Sequence, residues 1–223
     1  MRRLLFALTL IVCIMASACS RQDLINNSSH EHQEAPIVID RTEPMSIDFF
    51  SESEKKWIDL SELLYVSNIE ISSEINDKVK ADFFLLLISS PLYETEIEEY
   101  KTEEGYEFPL SFIEKVIFTH LDTDEFDPQV GFAPQTKFQG YDSDREIYKT
   151  KTIKGMGGAA ALGVLDYHED HDSIQITLGS YNMEDYFSEP QVYSLEEIFT
   201  VEISIQGGKE FFKINKAQKT RAY

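Results

Sequence analysis

Basic residues are scarce in this chain: 20 Lys and Arg stand against 40 Asp and Glu, a formal net charge of −20. Phosphate backbones and anionic headgroups are bound by clustered Lys and Arg, so nucleic acid is not expected as a partner. Cysteine is scarcer still, with only Cys13 and Cys19. There is no C-x-x-C pair, no G-x-S-x-G elbow and no G-x-x-x-x-G-K-[ST] phosphate loop. Long apolar runs are missing too. Leu4–Met15 is 12 residues and FFLLLI, Phe83–Ile88, is six, whereas a helix crossing the bilayer needs about 20. Aromatics are plentiful, with 15 Phe, 11 Tyr and one Trp in a chain that is 42% hydrophobic. That is too rich for disorder, and a folded domain is expected.

The N-terminus reads MRRLLFALTLIVCIMASAC. Arg2 and Arg3 form a basic n-region, Leu4–Met15 an apolar h-region, and Ala16, Ser17 and Ala18 a small-residue end before Cys19, the pattern of a secretory signal. The ASAC ending resembles the lipobox of bacterial lipoproteins, although Ala16 stands where that family usually has Leu. The resemblance implies that Cys19 is lipid-modified and becomes the new N-terminus, anchoring the chain to the membrane on its extracytoplasmic face. The other reading is an ordinary signal peptide cut near Ala18, with Cys19 incidental. Cysteine usage favours the lipid. Cys13 lies in the discarded region, so Cys19 would be left alone and needs an explanation. Stable anchoring takes two acyl chains, which a diacylglyceryl thioether would supply. Removing residues 1–18 takes away two arginines and no acid, leaving 18 basic groups against 40 acidic, a net of −22. Such a charge keeps a tethered domain soluble and off an anionic bilayer.

Ser20–Met45 is polar and without period, and is expected as a flexible stalk with a reach of roughly 28 Å. His30 and His32 flank Glu31 there. A single α+β domain is expected over 46–217, with 218–223 a tail. Its first part, 46–94, reads as helical. Ser53 is placed to cap a turn carrying Trp57, Leu60 and Leu64, and Ile71, Ile75, Val79, Phe83 and Leu87 recur every four residues up to Pro91. After an acidic connector, FPLSFIEKVIFTHLD predicts a helix over 109–121, with Pro109 in its first turn and Ser111–Glu114 as a capping box. Ile113, Val116, Ile117 and Leu121 form its apolar face, and His120, at the C-terminal end where the dipole favours a cation, is read as an end residue and not a catalyst. From Arg145 the period changes to two. AALGVLDY, SIQITLG, FTVEISIQ and KEFFKIN read as antiparallel strands, REIYKTKTI as a further candidate, and Gly207-Gly208 as a hairpin turn. One alternating polar face predicts a sheet covered on one side, most simply by the 109–121 helix. Helix, then curled meander, resembles the cystatin-like and nuclear-transport-factor-like cone folds over roughly 95–217. Those folds are common in uncharacterised lipoproteins of Gram-positive bacteria and host enzymes and non-enzymes alike.

DYHEDHDS, Asp166–Ser173, packs two histidines and four acids into eight residues. Imidazole with carboxylate suits a divalent metal, and the ligands would be His168 and His171, with Asp122 and Asp124 as further candidates. A hairpin tip supplies neither pocket nor second shell by itself, so a solvated loop is the expectation, with no cofactor. DTDEFDP, Asp122–Pro128, has acids where a calcium loop does. However, Phe126, Asp127 and Ala133 replace its fifth ligand, its glycine and its bidentate acid, so a polar loop is expected. KGMGGAA, Lys154–Ala160, fits G-x-G-x-x-A by letters but leads into a hairpin rather than a βαβ unit, and reads as a bend. Tyr141, Tyr148, Tyr167, Tyr181, Tyr186 and Tyr193 fall in or beside the sheet, where rings stack on a glycan, grip a partner or line a core edge. No site for catalysis stands out. The expectation is an anchored envelope protein that binds a small-molecule, glycan or protein partner without catalysis. The alternatives are an envelope hydrolase using Asp122, Asp124, His168 and His171, or a structural component.

Overall fold

The computed structural model describes residues 42–136, 139–153, 160–205 and 211–222. The chain divides into two units, Met1–Ile39 and Asp40–Tyr223, and the described residues all belong to the second. The fold is α+β. The main helices are α1 (Glu52–Val66), α2 (Asp77–Ile88) and α3 (Leu110–His120). Lys101–Thr102 (β1), Gly105–Pro109 (β2), Gln139–Asp142 (β3) and Ile147–Thr150 (β4) form one antiparallel sheet in the order β1-β2-β4-β3. Ala161–Glu169 (β5), Ser173–Tyr181 (β6), Leu195–Ile205 (β7) and Phe212–Arg221 (β8) form a second, an antiparallel meander.

The helices start where side chains or strands satisfy their first amides. Ser51, not Ser53, caps α1: its hydroxyl takes the Glu54 amide while the Glu54 carboxylate takes the Ser51 amide, because S-E-S-E completes a capping box two residues earlier. Asn76 caps α2 through the Val79 amide, so Ile71 and Ile75 precede the helix instead of joining it. Ile71 pairs in extended form with Ala217, by bonds of 2.8 and 2.9 Å. No serine caps α3. Strand β2 runs straight into it, and the Leu110 amide donates to the Glu146 carbonyl at 2.8 Å. REIYKTKTI supplies β4, which sits between β2 and β3 in the small sheet and not in the meander.

On the meander the period-two reading holds. Ile174, Ile176, Leu178, Phe199, Val201 and Ile203 face one core, sharing it with Val116 and Ile117 of α3. The cover is double: α1 lies against β6, and α3 lies against β8. The outer face is partly covered as well, since Thr177, Ile198 and Thr200 are buried. Tyr181 crosses Gly163 and Gly179 there. A Cβ on Gly179 would meet the Tyr181 hydroxyl at 2.9 Å, and one on Gly163 would meet the Pro44 ring carbon at 2.4 Å. The Tyr181 hydroxyl donates to the Thr42 carbonyl at 2.8 Å, and the Met45 amide to Val164 at 2.7 Å. Residues 42–45, expected as the end of a flexible stalk, are therefore pinned to the sheet. The Gly207-Gly208 turn and most of KGMGGAA lie outside the described residues.

Ile203 is fully buried, while Glu202 faces the other way, between Gln175 and Lys216. Ile203→Ala is expected to cost about 2–5 kcal/mol, several degrees of Tm at this size. Glu202→Ala should stay within about 0.5 kcal/mol. Thermal melts of the two variants check the register, and a reversed order would break it.

Candidate functional site

The residues singled out as metal ligands do not gather. His168 ends strand β5 and pairs with Asp170 at 3.1 Å, while His171 is 98% exposed in the turn with Asp172 at 3.9 Å. The Asp170 amide closes that turn on the Ser173 carbonyl. Asp122 leaves α3 and pairs with Lys213 at 3.2 Å, and Asp124 is exposed. Among the described residues no three His, Cys, Asp or Glu form a group able to hold a metal. Cys19, His30 and His32 lie outside the described residues. In the DTDEFDP loop a cation is already present. The buried Lys80 ammonium donates to the Glu125 carbonyl at 2.6 Å and reaches Asp77 at 3.2 Å. Asp127 is turned to capping the one-turn helix Pro128–Gly131. Of the sheet tyrosines, Tyr141 and Tyr148 are buried in the core, Tyr181 is buried on the outer face of the meander, and Tyr186 reaches the Leu162 carbonyl.

What the structure does assemble is a groove of about 690 Å³ between α1, the turn after α2, α3 and the start of β8. Its apolar wall comes from Leu60 and Leu63 of α1, Phe112 and Val116 of α3, and Phe212 of β8. Buried polar groups are set into that wall: the Ser90 hydroxyl, which donates to the Leu87 carbonyl at 2.6 Å and accepts from the Leu92 amide at 3.3 Å, and the His120 ring. His120, only 2% exposed, closes α3 with its ring against Phe212 at 4.1 Å. Its Nδ1 lies 2.8 Å from the Phe212 carbonyl oxygen and its Nε2 lies 2.7 Å from the Tyr93 hydroxyl. A carbonyl only accepts, so Nδ1 carries the proton. Nε2 is then the acceptor, and Tyr93 donates to it.

Burial holds His120 below the ordinary imidazole value of 6.5; the Phe212 bond opposes this and the nearby Lys56 charge adds to it. The same desolvation, with the charge of Glu96, pushes the Tyr93 phenol up to about 12. His120 is thus a neutral, buried link rather than the end residue read from its position. Its burial was legible: 113, 116, 117 and 120 form one i, i+3, i+4, i+7 stripe. Tyr93, 27 residues away, carried no such signal. Lys56, Asp59, Glu96 and Lys115 stand around the groove. The single tryptophan, Trp57, meets Phe212 edge-on at 5.1 Å, with its Nε1 buried and without a hydrogen-bond partner among the described residues.

A buried neutral histidine makes stability fall with acid. As pH drops, the unfolded chain takes up the proton first, so the His120 contribution is whole above 6.5 and is lost below it, by at most about 1.4 kcal/mol per pH unit. Urea titrations between pH 7 and 5 should therefore show a steeper loss for wild type than for His120→Phe. Parallel slopes would mean that His120 titrates in the folded protein as it does in the unfolded chain.

No family model, no curated protein and no solved structure matches this chain.

Proposed function

We propose that this protein is held at the extracytoplasmic face of the membrane by lipid on Cys19, and that its domain binds a small ligand in the α1–α3–β8 groove without transforming it. The observation that carries the binding reading is the groove itself. It is a mostly apolar recess of ligand size with a few fixed polar groups in its wall, the Tyr93–His120–Phe212 link among them, the composition usual for small-molecule sites. The commitment of the link supports binding over chemistry. Both His120 nitrogens are bonded within the protein, so neither reaches a ligand proton unless the Tyr93 bond breaks. Residues 42–45 lie on the outer face of the meander, whereas α1 and α3 cover the inner one. A cone-like scaffold remains part of the proposal on element order alone.

The test uses Cys19→Ala protein. It is expected in the medium instead of in detergent-extracted membranes. The recovered protein should then bind the neutral apolar fluorophore N-phenyl-1-naphthylamine saturably, one per chain, with the emission of Trp57 changing in step. Retention in the membrane at mature size would end the lipid reading. A linear, unsaturable signal would end the groove reading.

A further inference from the structure

Resting on that reading of the groove, we infer that its ligand is an amphipathic amine, an apolar body carrying a primary ammonium that donates a hydrogen bond to the Tyr93 oxygen.

The argument is one of hydrogen-bond direction. The Phe212 carbonyl fixes the proton on His120 Nδ1, Nε2 must then accept, and the one hydroxyl proton of Tyr93 is committed to it at 2.7 Å. The phenol oxygen is left with lone pairs only. The phenol stays protonated across the physiological range, since its acidity is suppressed by burial and by Glu96. Turning its hydroxyl outward to serve a ligand acceptor would leave the nitrogen of a buried imidazole without its donor. The fixed polar point in the wall is therefore an acceptor, and it selects donors.

The surrounding charges do not decide the matter. Lys56 and Lys115 face Asp59 and Glu96 around the groove, and formally the four cancel. The Lys56 charge, which disfavours a cation on His120, counts against an ammonium, and one detail counts for it. Asp59 is a carboxylate raised from its ordinary value, first by desolvation and then by Glu52, so an incoming positive charge would relieve it. A carboxylate head would set its lone pairs against those of Tyr93. A primary ammonium brings three donors and no acceptor, and Leu60, Leu63, Phe112 and Val116 receive the apolar body.

Three ligands with the same ten-carbon tail separate the possibilities, each titrated below its micelle-forming concentration into Cys19→Ala protein while Trp57 emission is followed. Decylammonium has charge and donors, decyltrimethylammonium has charge alone, and decanoate has acceptors alone. Decylammonium should saturate at one per chain and bind roughly tenfold or more tighter than decyltrimethylammonium, the margin of a charge-assisted hydrogen bond. Decanoate should be weaker still. In His120→Phe the Tyr93 hydroxyl is free to donate or accept, and the preference should narrow while apolar binding persists. If that variant does not fold, the wild-type ranking decides alone. Equal or tighter binding of decyltrimethylammonium, or decanoate as the best ligand, overturns the amine while leaving the groove. Binding that leaves Trp57 unmoved places the amine elsewhere and also overturns it. Failure of all three ligands takes the groove reading down with it.

Discussion

His120 is the joint on which this domain closes. Three segments far apart in sequence meet at one imidazole: the last turn of α3 carries it, the first residue of β8 accepts from it, and Tyr93, in the turn after α2, donates to it. A polar ring at 2% exposure is tolerable only when both nitrogens are satisfied, because an unpaired buried nitrogen costs about 1–3 kcal/mol. Each partner is therefore obliged to the others. Loss of the Phe212 carbonyl would undo the tautomer, and with it the Tyr93 bond. Lys80 does the same work for the DTDEFDP loop, with its buried ammonium on the Glu125 carbonyl. Two internal polar links thus fix the connections that the apolar core leaves loose.

The same link gives the groove a fixed polarity for the binding proposed. The apolar wall offers area without direction. The Phe212–His120–Tyr93 chain adds one directional point, with its polarity set by a backbone carbonyl that does not change role. The net charge of −20 acts at another scale. It keeps the domain soluble, while the charges around the groove are formally balanced between Lys and acid.

The parts of the fold readable in the sequence were those built from long periods. The stripe of α3 and the alternation of β6 and β7 put Ile113, Val116, Ile176 and Ile203 in the core from spacing alone. Of the small sheet only β4 was read, from REIYKTKTI, since its strands are two to five residues long and pair across as many as 44 positions, too short to show a period. Ile71 misled because its four-residue spacing continues into α2, while the Asn76 cap and the Ala217 bridge end the helix sooner. Of the site, the Val116 and Phe112 wall was visible as an apolar face. Chemistry-bearing letters drew attention to DYHEDHDS, yet His168 and His171 stand at an exposed tip. The histidine that matters is the one on an apolar stripe, and its partners, a backbone carbonyl and a distant tyrosine, leave no trace in local sequence.

The most direct test of this account is the protonation state of one ring. With uniformly ¹⁵N-labelled Cys19→Ala protein, two-bond ¹H–¹⁵N correlation of the His120 imidazole at neutral pH separates its two nitrogens. The structure requires a neutral ring with a pyrrole-type, protonated Nδ1 and a pyridine-type Nε2, the tautomer less common in free histidine. That state should persist as the pH is lowered past 6.5, where ordinary imidazoles take up a proton. A protonated Nε2 on a neutral ring, or an imidazolium at neutral pH, would contradict the Phe212–His120–Tyr93 link and the groove polarity derived from it.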